Sequence, residues 1–123
     1  TIDMIATDHA PHSEKEKSGG LRSSLNGIVG LETAFPVLYT RLVRRGILSL
    51  NKLVELMSTA PARRFGIDIG NSTAEFEIST PYIVDSAEFL SLGKASPFVG
   101  MQVFGKCIKT TRNGKTVKED KVN

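Results

Sequence analysis

The spacing of apolar positions changes along the chain, and each change marks an element. Ile2 to Ala6 is a short apolar run interrupted by Asp3 and closed by the polar stretch Thr7-Asp8-His9-Ala10-Pro11-His12. That pattern predicts a buried strand delivering polar groups at its C-terminal end. Ser13 to Asn26 is charged or small, with Leu21 and Leu25 as the only large apolar residues. It reads as a long loop, and loops of that length in a compact domain are usually functional or mobile; its run Glu14-Lys15-Glu16-Lys17 reads as solvated. Leu31, Ala34, Phe35, Leu38, Leu42 and Val43 then recur at helical spacing, with Gly46 as a stop after Arg44-Arg45 and Pro36 as a kink or second start. Ser49 is placed to cap a second helix carrying Leu50, Leu53, Val54, Leu56 and Met57. Thr59 is placed to cap a third, with Pro61 in its first turn and Gly66 at its end.

After Gly66 the pattern turns to β. Glu75 to Val84 is rich in β-formers around Pro81, and Pro97 to Phe104 leads into Ile108–Arg112 and Lys115–Val117, separated by Asn113-Gly114. Asn-Gly between two β-prone runs is the strongest short hairpin signal. One domain boundary is expected near Gly66–Gly70, giving a unit over 1–66 and a small β unit over 67–123.

Composition narrows the class of protein. At 123 residues, with 40% hydrophobic and 24% charged residues, the chain has globular composition. A whole (β/α)8 barrel, which takes roughly 250 residues, does not fit. The 16 Lys+Arg against 13 Asp+Glu leave a net charge of +3. Lys106, Lys109, Arg112, Lys115, Lys118 and Lys121 crowd the end without interleaved aromatic residues, which reads as a solvated basic face, so no nucleic-acid partner is expected. The single cysteine, Cys107, excludes an internal disulfide framework and fits a cytoplasmic location. There is no apolar run near ~18 residues, so no membrane span is expected. The first residue is Thr1, so either an initiator Met has been removed or the chain starts inside a longer protein.

Chemistry is concentrated in Asp8-His9-Ala10-Pro11-His12. A carboxylate and imidazoles just past a buried strand suit metal ligation, proton transfer or substrate contact. They equally suit an Asp that caps the following turn beside two loop histidines. With one Cys and two His, an all-internal four-ligand zinc site is not expected.

Three stretches carry a resemblance: Ile5-Ala6-Thr7-Asp8-His9-Ala10-Pro11-His12, Asn26-Gly27-Ile28-Val29-Gly30-Leu31-Glu32-Thr33-Ala34-Phe35-Pro36, and Leu56-Met57-Ser58-Thr59-Ala60-Pro61-Ala62-Arg63-Arg64-Phe65-Gly66. In this order they resemble the C-terminal third of bacterial dihydroorotases of the long, aspartate-transcarbamoylase-associated type, which are amidohydrolase-superfamily barrel enzymes. The likeness continues at Phe89–Gly100 and Arg112–Val117.

The resemblance implies an α/β fold: the last strand and following helices of a metal-dependent hydrolase (β/α)8 TIM barrel over 1–66, then the C-terminal part of a composite β-sandwich over 67–123. It implies that Asp8 ligates zinc and carries the catalytic proton, that His12 contacts the substrate carboxylate, and that Asn26 and Gly27 hold the pyrimidine. No role carries over to His9 beyond a supporting or packed one. The implied reaction is the reversible cyclisation of N-carbamoyl-L-aspartate to L-dihydroorotate in pyrimidine synthesis. Most zinc ligands would come from a missing N-terminal part of the barrel, so the chain alone is expected to be inactive. A homodimer and aspartate transcarbamoylase are the implied protein partners. The sequence departs from the family at Leu25-Asn26, where members often carry Pro-Phe, and it looks shorter between Gly70 and Phe89. Other readings are a catalytically inactive structural partner of aspartate transcarbamoylase, a hydantoinase or allantoinase, and, weakest, a free-standing binding domain.

Overall fold

A computed structural model describes residues 2–120; Thr1 and Lys121, the last member of the basic cluster, lie outside them. The elements are easiest to build from the hairpin. Asn113 and Gly114 both take positive φ, 49° and 76°. This is the type I′ geometry whose twist matches that of the flanking strands. The hairpin joins β4 (Lys106–Arg112) to β5 (Lys115–Glu119), and β1 (Thr73–Glu77) pairs antiparallel with the other edge of β4. The resulting sheet has the order β1-β4-β5. Pro81 interrupts the chain before β2 (Tyr82–Ile83), which pairs antiparallel with β3 (Gln102–Val103). Along the first sheet Lys109 pairs with Glu119, and Lys118 with Asp120, while Lys106 reaches Glu88 of the turn after β2, so carboxylates meet much of the basic cluster.

The long stretch expected as a loop holds two single helical turns, α1 (Glu14–Lys17) and α2 (Gly20–Ser23). The first is held by a capping box: Ser13 Oγ accepts from Glu16 N, while the Glu16 carboxylate accepts from Ser13 N and Oγ. The helix read from the apolar repeat is α3 (Leu31–Leu38), which continues through Pro36 into a π-helical turn (Tyr39–Val43). Pro36 lacks the N–H that the Glu32 carbonyl would receive, and the wider turn follows directly. Ser49 caps α4 (Leu50–Val54) by accepting from Lys52 N. The separate third helix capped by Thr59 is not observed: α4 runs through a π-helical turn (Glu55–Thr59) into α5 (Ala60–Phe65), and Thr59 Oγ1 donates back to Glu55 O. The shift to i→i+5 bonding, with Ala60 N donating to Glu55 O, lets Pro61 enter without ending the helix. Gly66, at φ 63°, closes α5 in the left-handed conformation.

The opening run also differs from expectation. Ile2–Ala6 does not form a strand: Ile5 N donates to Leu56 O, but no neighbouring strand pairs with the segment among the described residues, and Ile2 is 69% exposed. A strand needs partners for its N–H and C=O groups, and nothing here supplies them. The buried cluster lies farther along, where Val29 meets Val84, Phe89 and Val103. Phe35 ties α3 to the first sheet, its ring stacked 3.9 Å from that of Phe76 and 5.7 Å from that of Tyr39.

Gly105 is buried against this stack at φ 94°, and a Cβ there would lie 2.9 Å from Cε1 of Phe35. With Phe35 held between two rings, the side chain has nowhere to move. Gly105→Ala is expected to destabilise the fold by about 1–3 kcal/mol through overpacking and backbone strain. A urea titration would read this as a lower midpoint at unchanged slope.

Candidate functional site

The site begins with two short segments laid side by side. His9 and Ile28 form an isolated parallel bridge, and Ala10 N donates to Ile28 O at 2.9 Å. Glycines permit the close approach. Gly27 has φ 119° and abuts Ala10 where a side chain would stand, and a Cβ on Gly30 would lie 3.2 Å from Thr7 O. On the opposite side a Cβ on buried Gly93 would come within 2.7 Å of both His12 O and the Pro11 carbonyl carbon.

His9 turns into this join. Its Nδ1 accepts from Gly30 N at 3.1 Å and Leu31 N at 3.2 Å, two orphan donors at the start of α3. Because Nδ1 accepts, the ring proton sits on Nε2, which faces Ser91 Oγ at 3.4 Å. Ser91 N in turn donates to Glu32 Oε1 at 2.9 Å. Burial pushes the Glu32 carboxyl up, but hydrogen bonds from Ser91 and from its own backbone, together with the nearby His9, leave the group below its ordinary value. Glu32 Oε2 is buried with no partner among the described residues.

The structure brings three of the four site residues expected from the sequence together. His12 Nε2 lies 2.9 Å from Asn26 O; the carbonyl can only accept, so Nε2 donates and Nδ1 is left for a ligand. Gly27 is the next residue, and Lys17 Nζ donates to Gly27 O at 2.9 Å and Leu25 O at 2.8 Å. His12, Glu14, Lys17, Leu92, Lys94 and Ala95 line a cavity of about 370 Å³ beside this join. Asp8 stands apart at the other end of the segment, exposed and at φ 47°. A non-glycine residue in that region carries strain of a kind that collects at functional sites, though Asp tolerates it better than most.

Zinc finds no complete site among the described residues. Among the described residues no group of three or more His, Cys, Asp and Glu side chains could hold a metal ion, so Asp8 by itself does not fit one. A larger cleft of about 580 Å³, lined by Phe35, Phe76, Tyr82 and Phe89 among others, includes none of Asp8, His12, Asn26 and Gly27. No helix among the described residues is long and apolar enough to cross a membrane.

Sequence reasoning missed Lys17, Ser91 and Lys94, whose Nζ donates to Phe89 O at 2.7 Å. Lys17 had a local signal: Ser13-Glu14-Lys15-Glu16 has the capping-box spacing, which orders the turn ending at Lys17. Ser91 and Lys94 join the site only through the tertiary fold.

No protein-family model matches the chain. It is 44% identical over 126 residues to a dihydroorotase from Lactiplantibacillus plantarum, covering 94% of this chain and 29% of the relative. It is 43% identical over 125 residues to one from Ligilactobacillus salivarius, covering 95% and 29%. The chain thus spans under a third of the length of these relatives. Among solved structures, the L-hydantoinase (dihydropyrimidinase) from Arthrobacter aurescens is similar at 35% identity and a TM-score of 0.83, over 95% of this chain and 29% of that one. Dihydropyrimidinase from Brevibacillus agri is similar at 26% identity and a TM-score of 0.85, over 95% and 28%.

The packing of Gly93 against fixed backbone gives a test of how firmly His12 is held. Gly93→Ala should cost about 1–3 kcal/mol, since backbone atoms cannot rotate aside. Gly46→Ala, with φ 71° but open space around it, should cost only about 1 kcal/mol. Equal denaturation midpoints for the two variants would show that the Pro11-His12 backbone yields.

Proposed function

Since the chain belongs by sequence with the dihydroorotases, cyclic amide hydrolases of amidohydrolase type, we propose that it forms the C-terminal part of such an enzyme and contributes Asp8, His12, Asn26 and Gly27 to its active site. The reading rests on 44% identity extending over 94% of the chain. The proposal covers the reversible cyclisation of N-carbamoyl-L-aspartate to L-dihydroorotate, a step of pyrimidine synthesis in the cytoplasm. It also takes residues 1–66 as the end of a TIM barrel and 67–123 as part of a composite β-sandwich. From the same resemblance come a homodimer and aspartate transcarbamoylase as partners.

Zinc is the cofactor this reading implies, and the residues present do not complete its site, so only the side chains of this chain are assigned steps. In the hydrolytic direction the oxygen of a water attacks the ring amide carbonyl. Asp8 accepts the proton released as the C–O bond forms and returns it to the ring nitrogen as the C–N bond breaks. An exposed carboxylate at the end of the segment is suited to both transfers. His12 binds the substrate carboxylate through Nδ1, and because Nε2 already donates to Asn26 O, Nδ1 becomes a donor only in the imidazolium form.

A hydantoinase is the second reading, favoured by the structural likeness to L-hydantoinase. Hydantoin and dihydrouracil lack the carboxylate of dihydroorotate, whereas His12, Lys17 and Lys94 share one cavity. Two ammonium groups and an imidazole against the one carboxylate of Glu14 support the dihydroorotase reading, and turnover of hydantoin in preference to L-dihydroorotate by the complete enzyme would reverse it.

In that enzyme Asp8→Asn is expected to lower kcat by at least about 10²-fold, the scale of a lost general acid–base group. Near-normal turnover would remove Asp8 from the mechanism. His12→Ala is expected to raise KM by about ten- to a hundredfold, the worth of a hydrogen bond to a charged group, with kcat changed little. An unchanged KM in this variant would argue against the carboxylate contact.

A further inference from the structure

Lys17 sits in a charged run that composition assigns to solvent, yet it is half-buried and its ammonium is spent on backbone. The Leu25 and Gly27 carbonyls accept from Nζ at 2.8 and 2.9 Å, and the carbonyl between them, that of Asn26, faces His12 Nε2 at 2.9 Å. Consecutive carbonyls are thus bound by two side chains of one short segment. This fixes the torsions on either side of Asn26 and Gly27, where glycine alone would leave the chain free. Among the described residues the N–H groups of Asn26 and Gly27 have no protein partner, so the clamped loop keeps two donors uncommitted. The anchoring segment is itself rigid: the capping box at Ser13 holds the turn, Leu25 N donates to Glu16 O, and Ser24 Oγ donates to Lys17 O at 2.7 Å.

We infer that Lys17 is a positioning residue, which sets the Leu25–Gly27 backbone so that the Asn26 and Gly27 N–H groups and His12 meet the substrate together. The inference rests on the dihydroorotase reading and deepens it. An ammonium suits the task because its three donors can serve two carbonyls at once while its charge shares the cavity with His12. Its effect falls on substrate affinity, since the bond-making groups lie elsewhere.

Steady-state kinetics of the complete enzyme with L-dihydroorotate tests this. Lys17→Met, which keeps the stem and removes the donors, is expected to raise KM about tenfold or more with kcat within about threefold, the pattern of lost uniform binding. Lys17→Arg, which restores charge and a fork able to span two carbonyls, is expected to recover most of that loss. An unchanged KM in Lys17→Met, a fall confined to kcat, or an Arg variant as impaired as the Met variant would overturn the inference. Should Lys17→Met fail to fold by circular dichroism, Lys17→Gln, with its donor amide, decides by the same KM criterion. Absence of L-dihydroorotate turnover in the unaltered enzyme would sink the dihydroorotase reading, and the inference with it. Turnover with a KM sensitive to His12→Ala and insensitive to Lys17→Met would sink the positioning role alone.

Discussion

Two backbone N–H groups, those of Gly30 and Leu31, share the Nδ1 of His9, and through them the start of α3 is tied to the segment that carries Asp8 and His12. A helix start leaves several donors unsatisfied, and the usual remedy is a side chain one to three residues away. Gly30 precedes α3 and has no side chain to offer, so the acceptor arrives from 21 residues upstream. The consequence is geometric. Once His9 is committed to α3, its neighbour Asp8 is held at one end of the join and His12 at the other. The parallel bridge to Ile28 then sets where Asn26 and Gly27 can lie. The hydrogen-bond capacity of one imidazole thereby couples a polar loop to the start of α3.

The same join explains the distribution of charge. The Glu32 carboxylate is drawn inward at the first turn of α3, where negative charge is favoured, and Ser91 offsets part of its desolvation with a backbone donor. Lys17 and Lys94 place their ammonium groups on carbonyl oxygens instead of on carboxylates. A lysine neutralised by an ion pair would bring no net field to the cavity. One bound to neutral carbonyls keeps its charge, and that charge stands beside His12. A cavity with this lining is suited to an anion, whereas the basic residues near the chain's end, ion-paired to Glu88, Glu119 and Asp120, are not arranged in that way.

Local signals are legible in the sequence to the extent that local physics decides them. Asn113-Gly114, the Ser49 cap and the Gly66 stop each act within a few residues, and each is where the pattern places it. The helix break at Thr59 misleads because a Thr followed closely by Pro looks like a cap, while a π-helical turn supplies another way to absorb the proline. The strand over Ile2–Ala6 misleads for a different reason: apolar patterning describes what a segment would do beside partners, and none pairs with it among the described residues. Asp8, His12, Asn26 and Gly27 stand out by resemblance, and the proximity of His12 to Asn26 requires the fold to show it. Lys17 stays hidden because sequence spacing cannot tell a solvated lysine from one folded back onto carbonyls eight and ten residues later.

The absent strand and the solitary carboxylate have a common cause. Ile2 at 69% exposure, Leu21 at 106% and Leu92 at 97% leave large apolar side chains in water on and around the polar loop. Isolated exposed apolar residues are ordinary, but these flank the segment whose backbone groups, apart from Ile5 N, also lack partners among the described residues. Asp8, at the end of that segment, likewise stands alone: among the described residues no group of three or more His, Cys, Asp and Glu could hold a metal ion. Unpaired backbone, uncovered side chains and an incomplete ligand set would all be met by one change, neighbouring strands laid beside Ile2–Ala6. A barrel supplies strands of that kind, with their ends displayed on the face where Asp8 would then stand. This is why the proposed function is assigned to a larger enzyme, to which this chain is proposed to bring the substrate loop and one carboxylate.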